Sequence, residues 1–142
     1  MARLLALPLL LLPAACLVRI PVADPVYSPC HAVSSTGWSA HVERFPTAHV
    51  RPILKPMLVV AGKVTVPGEG YAVSLDLGPV EKLREPVQEI MVRTTPPGGD
   101  ATGGPATYDV RGTFPARKRY GAVRLRCGDG TLAIIRDVPR ED

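Results

Sequence analysis

Three thiols, three imidazoles and a run of guanidinium groups are the side chains of this 142-residue chain with chemistry to offer. The histidines, His31, His41 and His49, stand ten and eight residues apart. No second Cys/His pair accompanies Cys30-His31, whereas structural zinc takes four ligands, so no metal site is expected. Ser34, Ser35, Ser39 and Ser74 lack the Gly-x-Ser-x-Gly setting that lifts a hydroxyl onto a nucleophile elbow. The glycine-rich run Gly98–Gly104 is followed by no lysine and no helix start that would cradle phosphate. Glu81, Glu85 and Glu89 fall on a connection and a strand, where solvated carboxylates belong. No constellation for catalysis emerges, so the chain is expected to be neither an enzyme nor the holder of a cofactor.

Cys16 has a different setting. It follows Met1-Ala2-Arg3 and an apolar run from Leu4 to Ala15. A positive start, an apolar stretch and small residues before a break describe an export signal, which is not part of a fold. The box Leu12-Pro13-Ala14-Ala15-Cys16 resembles bacterial lipoprotein signals, which are cut before a cysteine that is then diacylated. Ala14, Ala15 and Cys16 fit that pattern, while Leu12 stands one place early, with Pro13 where the large aliphatic residue is expected. The resemblance implies a signal peptide over 1–15, lipidation at Cys16 and a domain held at a membrane in the bacterial periplasm. The alternative is an ordinary signal cut near Ala15 or Ala23, which leaves a soluble periplasmic or secreted protein. A spanning helix would need about twenty apolar residues, and Pro8, Pro13, Arg19 and Pro21 interrupt this stretch.

An odd cysteine count in an exported chain calls for an explanation. Lipidation of Cys16 supplies one and leaves Cys30 and Cys127 to pair. Cys127 shares a strand face with Val123 and Leu125, which aims its sulfur at a core. Between the signal and the domain, residues 16–29 carry Pro21, Pro25 and Pro29. Proline holds its neighbours extended, so this reads as a stiff tether, with a reach of about 40 Å at ~3 Å per residue.

The net charge of +4 is mild and by itself selects no ligand. One segment departs from that balance. Between Asp109 and Asp129 the charged residues are Arg111, Arg117, Lys118, Arg119, Arg124 and Arg126, with no acid among them. Arg124 and Arg126 point to one side of their strand, and with Arg111 on a neighbouring strand a basic stripe would form. Anionic lipid, acidic glycan or an envelope protein would suit it, since each surface cation adds ~1 kcal/mol near a charged membrane. The competing use of such cations is to keep a half-buried sheet soluble and its edges unpaired. Export argues against nucleic acid.

Residues 30–142 amount to a single domain punctuated by proline and glycine, the habit of an all-β fold. Alternation places strands from Trp38 to Phe45, Met57 to Val66, Tyr71 to Leu77, Val87 to Thr95, Thr107 to Phe114, Tyr120 to Cys127 and Thr131 to Val138. Residues 46–56, with Pro46, Pro52 and Pro56, read as a loop or irregular edge. Pro67-Gly68-Glu69-Gly70 reads as a hairpin turn joining its two flanking strands. A helical turn is placed at Val80–Arg84, and Pro96–Pro105 reads as an exposed, mobile loop. Gly128-Asp129-Gly130 closes a final hairpin. Seven strands of this kind predict an antiparallel immunoglobulin-like β-sandwich, with a small open barrel as the competing architecture, Trp38 as the large core residue and Gly62 marking a bulge or close backbone approach.

Two further resemblances follow. Ser35-Thr36-Gly37-Trp38 and Gly98–Gly104 are similar to two binding loops of the chagasin-type inhibitors of papain-like proteases, although the Asn-Pro of the first loop and the whole Arg-Pro-Trp loop are absent. Thr36-Gly37-Trp38, Val64-Thr65-Val66-Pro67 and the late Cys127 resemble small exported bacterial (lipo)proteins with an immunoglobulin-like domain, a resemblance that implies no activity. The resulting expectation is a non-catalytic envelope module for binding or scaffolding. A protease or hydrolase inhibitor presenting the 96–105 loop is the alternative.

Overall fold

The structure is a computed structural model that describes residues 28–47 and 53–141. Seven strands follow one another: β1 (Ser34–Pro46), β2 (Leu54–Val66), β3 (Ala72–Glu81), β4 (Val87–Thr95), β5 (Ala106–Pro115), β6 (Ala122–Cys127) and β7 (Gly130–Ile135). They form two sheets, one ordered β1-β2-β5 and the other β3-β4-β6-β7. The apolar members of each period-two pattern meet between the sheets. Ala40, Val42, Leu58, Val60, Val64, Val66 and Val110 come from the first sheet, and Ile90, Val92, Val123, Leu125 and Cys127 from the second. At about 25 cal/mol per Å² of apolar area, this shared interior is what holds the two sheets together.

The all-β reading and the seven strands stand, but their connections differ from expectation in four places. β2 and β3 are not a hairpin. Pro67–Gly70 carries the chain from one sheet to the other, because both strands have an apolar face to bury and each covers the core from its own side. Alternation identifies a strand's inner face without saying which strand lies beside it. Nor are all pairings antiparallel. β4 and β6 run parallel, with Glu89 opposite Arg124 and Ile90 opposite Leu125, and β5 in the other sheet lies between them in sequence. The stretch read as a loop over 46–56 is partly strand, since β2 begins at Leu54 and passes through Pro56. Pro56 has no N–H, yet its carbonyl accepts the Ala116 amide at 3.1 Å. No helical turn forms at Val80–Arg84. β3 instead continues to Glu81 through a bulge, and buried Gln88 donates to the carbonyls of Gly78 and Glu89, both at 2.9 Å.

Gly37 and Trp38 form a second bulge. The β1–β2 register shifts between Thr36 and Ser39, so that Gly37 and Trp38 together oppose Gly62, and Gly37 takes φ 64°. A left-handed glycine followed by a large residue is how such a bulge re-aims a side chain. Here the indole lies over Gly62, where a Cβ would overlap the ring, and Nε1 donates to Ser35 Oγ at 3.0 Å. Trp38 is thus half-buried at the rim of the core. At the other side of β1, Val42 donates to the Pro139 carbonyl at 2.8 Å and accepts from the Glu141 amide at 2.9 Å, so the C-terminal segment covers part of that edge.

The Trp38–Gly62 contact yields a stability test. Gly62→Ala is expected to cost about 2 kcal/mol in urea unfolding, as overpacking does. The same change in a Trp38→Ala background should cost close to nothing. Equal costs in both backgrounds would place the strain elsewhere.

Candidate functional site

Strand direction sorts the connections into two ends. At one end lie the chain before β1 (28–33) and the connections 67–71, 96–105 and 128–129. The cystine is here. Cys30 and Cys127 are joined with Cα atoms 5.1 Å apart, across a sequence separation of 97, and chain-entropy arithmetic puts closure of so large a loop at ~4–5 kcal/mol. Gly128, the first of the two hairpin residues, takes φ 60° beside Cys30. The sequence-based pairing of Cys30 with Cys127 therefore stands, whereas Cys16 and most of the tether lie outside the described residues.

The 96–105 loop at this end is exposed and touches the β2–β3 connection. Glu69 donates its amide to the Thr102 carbonyl at 2.9 Å, and Gly68 lies so close to Ala101 that a Cβ would crowd it. The loop is braced at Thr102 on the β2–β3 connection. His31, also at this end, donates its amide to Thr94 Oγ1 at 2.8 Å, and its ring lies 5.6 Å from that of Tyr71. Among the described residues, no group of three or more His, Cys, Asp or Glu side chains is arranged to hold a metal ion.

The six cations of the expected basic stripe do not come together. Arg111 is on β5 and Arg124 and Arg126 are on β6, in different sheets, so the neighbouring-strand condition for a stripe is not met. Arg111 has Glu43 at 4.0 Å, and Glu43 in turn has His41 at 3.6 Å. Arg124 bonds Glu81 and lies 3.3 Å from Glu89, and Arg126 lies 3.3 Å from the same Glu89 oxygen. Arg126 also donates to the Asp129 carbonyl at 2.8 Å. Glu89 is only 3% exposed, so a carboxylate on β4 is covered by the two arginines of the adjacent strand. The hydrogen bond to Glu81 raises the Arg124 guanidinium still further above its ordinary value, against the opposing effect of burial. These two arginines fasten strands of the second sheet.

The other three cations occupy the opposite end, on the β5–β6 connection. Residues 82–86 and 116–121 lie side by side there, with the Gly121 amide donating to the Pro86 carbonyl at 2.8 Å. They carry Lys82, Arg84, Arg117, Lys118 and Arg119 against Glu85 alone. The connections at the cystine end carry Glu69, Asp100 and Asp129 and no lysine or arginine. A depression of about 480 Å³ lies at the basic end, lined by Leu83, Arg84, Glu85 and Arg119. Its backbone is held in place. The Arg117 amide donates to the Tyr120 hydroxyl at 2.8 Å, and Arg140 Nη2 donates to the carbonyls of Arg117 and Lys118 at 2.6 and 2.9 Å. Lys82, Leu83 and Arg84 were not legible as part of this cluster, because only the course of β3 to Glu81 brings them to the end where residues 117–119 lie.

No known protein family matches the chain, and no curated protein or solved structure matches it either.

Three outcomes follow from the paired and half-buried groups. Glu89→Ala should destabilise the domain by about 2–3 kcal/mol, because it removes the buried carboxylate that two part-buried guanidinium groups share. Lys63→Ala, which breaks the exposed 2.6 Å pair with Asp109, should cost less than about 1 kcal/mol. Urea midpoints of the two variants check both. Burial pushes the Tyr120 phenol above its ordinary value, against the lowering effect of the Arg117 amide. The unfolded chain therefore ionises first, and the contribution of Tyr120 to stability is lost as pH rises above about 10. Tyr120→Phe should flatten that alkaline fall in stability, with little change at neutral pH beyond the lost hydrogen bond.

Proposed function

We propose that this chain is a non-catalytic protein of the bacterial cell envelope, exported and held at a membrane by lipid on Cys16, whose domain serves as a binding or scaffolding module. The observation that carries the reading is the Cys30–Cys127 disulfide. A structural cystine belongs to an oxidising compartment, and with those two thiols joined, Cys16 is the one cysteine left to account for. The signal-like segment and the box ending at Cys16 account for it. The chain enters the domain at Ser28–Cys30, beside Gly128, so a tether attached there leaves the basic end turned away from the point of attachment.

On the finer question of fold, we read the molecule as a variant of the immunoglobulin-like sandwich. The β1-β2-β5 sheet and the β6–β7 hairpin opposite it match that plan. The departure is β4, which stands beside β6 where the third strand of an immunoglobulin domain would be. The inhibitor reading draws on the brace between Glu69 and Thr102, because a loop held in one shape loses little freedom on binding. It accounts for neither the charge separation nor the N-terminal box, and we rank it second.

The test is the intact mass of the unreduced protein taken from membranes of its own host. The expected species begins at Cys16, carries added acyl mass and is two hydrogens lighter than the reduced chain. A chain without acyl mass that begins beyond Cys16 would overturn the anchor and leave a soluble exported domain.

A further inference from the structure

We propose that the end of the molecule built from residues 82–86 and 116–121 is a docking surface for an anionic phospholipid bilayer, with Leu83 entering the interface among Lys82, Arg84, Arg117, Lys118 and Arg119. This rests on the reading of the domain as a tethered binding module and names its surface and its partner.

The argument begins with which cations are already used. On the sheets, Lys63, Arg93, Arg111, Arg124 and Arg126 each have a carboxylate within 4.0 Å. At the basic end, the segment after β7 adds Arg136 and Arg140 against Asp137 and Glu141. Among the described residues, none of the five cations carried by 82–86 and 116–121 has an ion-pair partner, and Arg117, Lys118 and Arg119 are all exposed. Their charge is therefore available to an outside anion. Leu83 sits in their midst with 60% of its surface exposed, and it lines the same depression as Arg84 and Arg119. Ile53 and Leu54, at the turn end of the β1–β2 hairpin and on the same end of the molecule, are 66% and 52% exposed, with Lys55 following. Bare aliphatic side chains set among cations fit the boundary between charged headgroups and acyl chains.

The source of the negative charge can be chosen on the same grounds. A soluble polyanion would neutralise the cations and leave the aliphatic side chains in water. A bilayer satisfies both, and it accepts side chains standing on connections without needing a pocket of matched shape. The backbone that presents them is already fixed by Tyr120, Arg140 and the Gly121–Pro86 hydrogen bond, so docking orders little besides side chains. Arg140 acts here as a positioning residue.

The test uses the full chain incorporated into phosphatidylcholine vesicles, washed, and mixed with labelled protein-free vesicles of phosphatidylcholine alone or of phosphatidylcholine with phosphatidylglycerol. The expected result is capture of the phosphatidylglycerol vesicles only, weakening as salt rises from about 0.1 to 0.5 M. Lys118→Glu with Arg119→Glu should weaken capture about 30-fold or more, since each cation near an anionic bilayer contributes roughly fivefold. Leu83→Ser should weaken it about tenfold through lost apolar burial. Lys63→Ala, on the far sheet face, should leave it unchanged. No capture, or equal capture of both vesicle types, overturns the proposal. Capture that depends on charge but is indifferent to Leu83→Ser also overturns it, and points to a soluble acidic polymer or protein instead. If the chain washes off the first vesicles, tethering has failed, and docking is then read separately by cosedimentation of the free chain with the same two vesicle types.

Discussion

The bond between Cys30 and Cys127 is the constraint on which the rest of the molecule depends. It joins the chain just before β1, in one sheet, to the last residue of β6, in the other. Two sheets that otherwise adhere through side-chain burial are thereby fastened at one end, and the place where the chain enters the domain is fixed with them. Every other orientation in the molecule is set against that end. The braced 96–105 loop and the acidic connections share it, while the basic connections lie a full strand length away. For β6, the six-residue strand between residues 116–121 and Asp129, that length is roughly 20 Å at about 3.3 Å per residue.

Cations in this chain have two distinct employments, and burial distinguishes them. Arg124 and Arg126 lie over a carboxylate that solvent hardly reaches, and such a pair is hard to break because either partner left alone would be a desolvated charge. Arg117, Lys118 and Arg119 rest on a connection whose backbone is fastened by a phenol and a distant guanidinium, while their own charges face water. Arg140 takes part in the second arrangement through Nη2, which holds the carbonyls of Arg117 and Lys118.

What was legible in the sequence was what local chemistry decides. Alternation from Tyr71 to Leu77 and from Val87 to Thr95 named strands and their inner faces, Gly62 signalled a close approach, and Cys127 beside Val123 and Leu125 pointed its sulfur inward. What was not legible was neighbourhood. Nothing local to Pro67–Gly70 distinguishes a hairpin from a crossing between sheets, since the turn residues serve both. The parallel register of β4 and β6 likewise depends on how the whole core closes, and with it the pairing of Glu89 with Arg124. The basic patch is hidden for the same reason: contiguity in sequence is not contiguity in space, and Arg84, thirty-five residues upstream, shares a depression with Arg119.

The separation of charge between the two ends has a consequence for how the molecule meets a surface. At physiological salt the Debye length is about 8 Å, less than half the distance between the acidic and basic connections. The ends are therefore screened from one another, and neither tempers what the other does. A charged wall approached from the cystine end meets an anion, and the same wall approached from the far end meets a cation, although the chain as a whole carries only +4. Orientation is consequently decided in the last nanometre of approach. The bulk isoelectric point is a poor guide to such a particle, because it averages two faces that no partner encounters together.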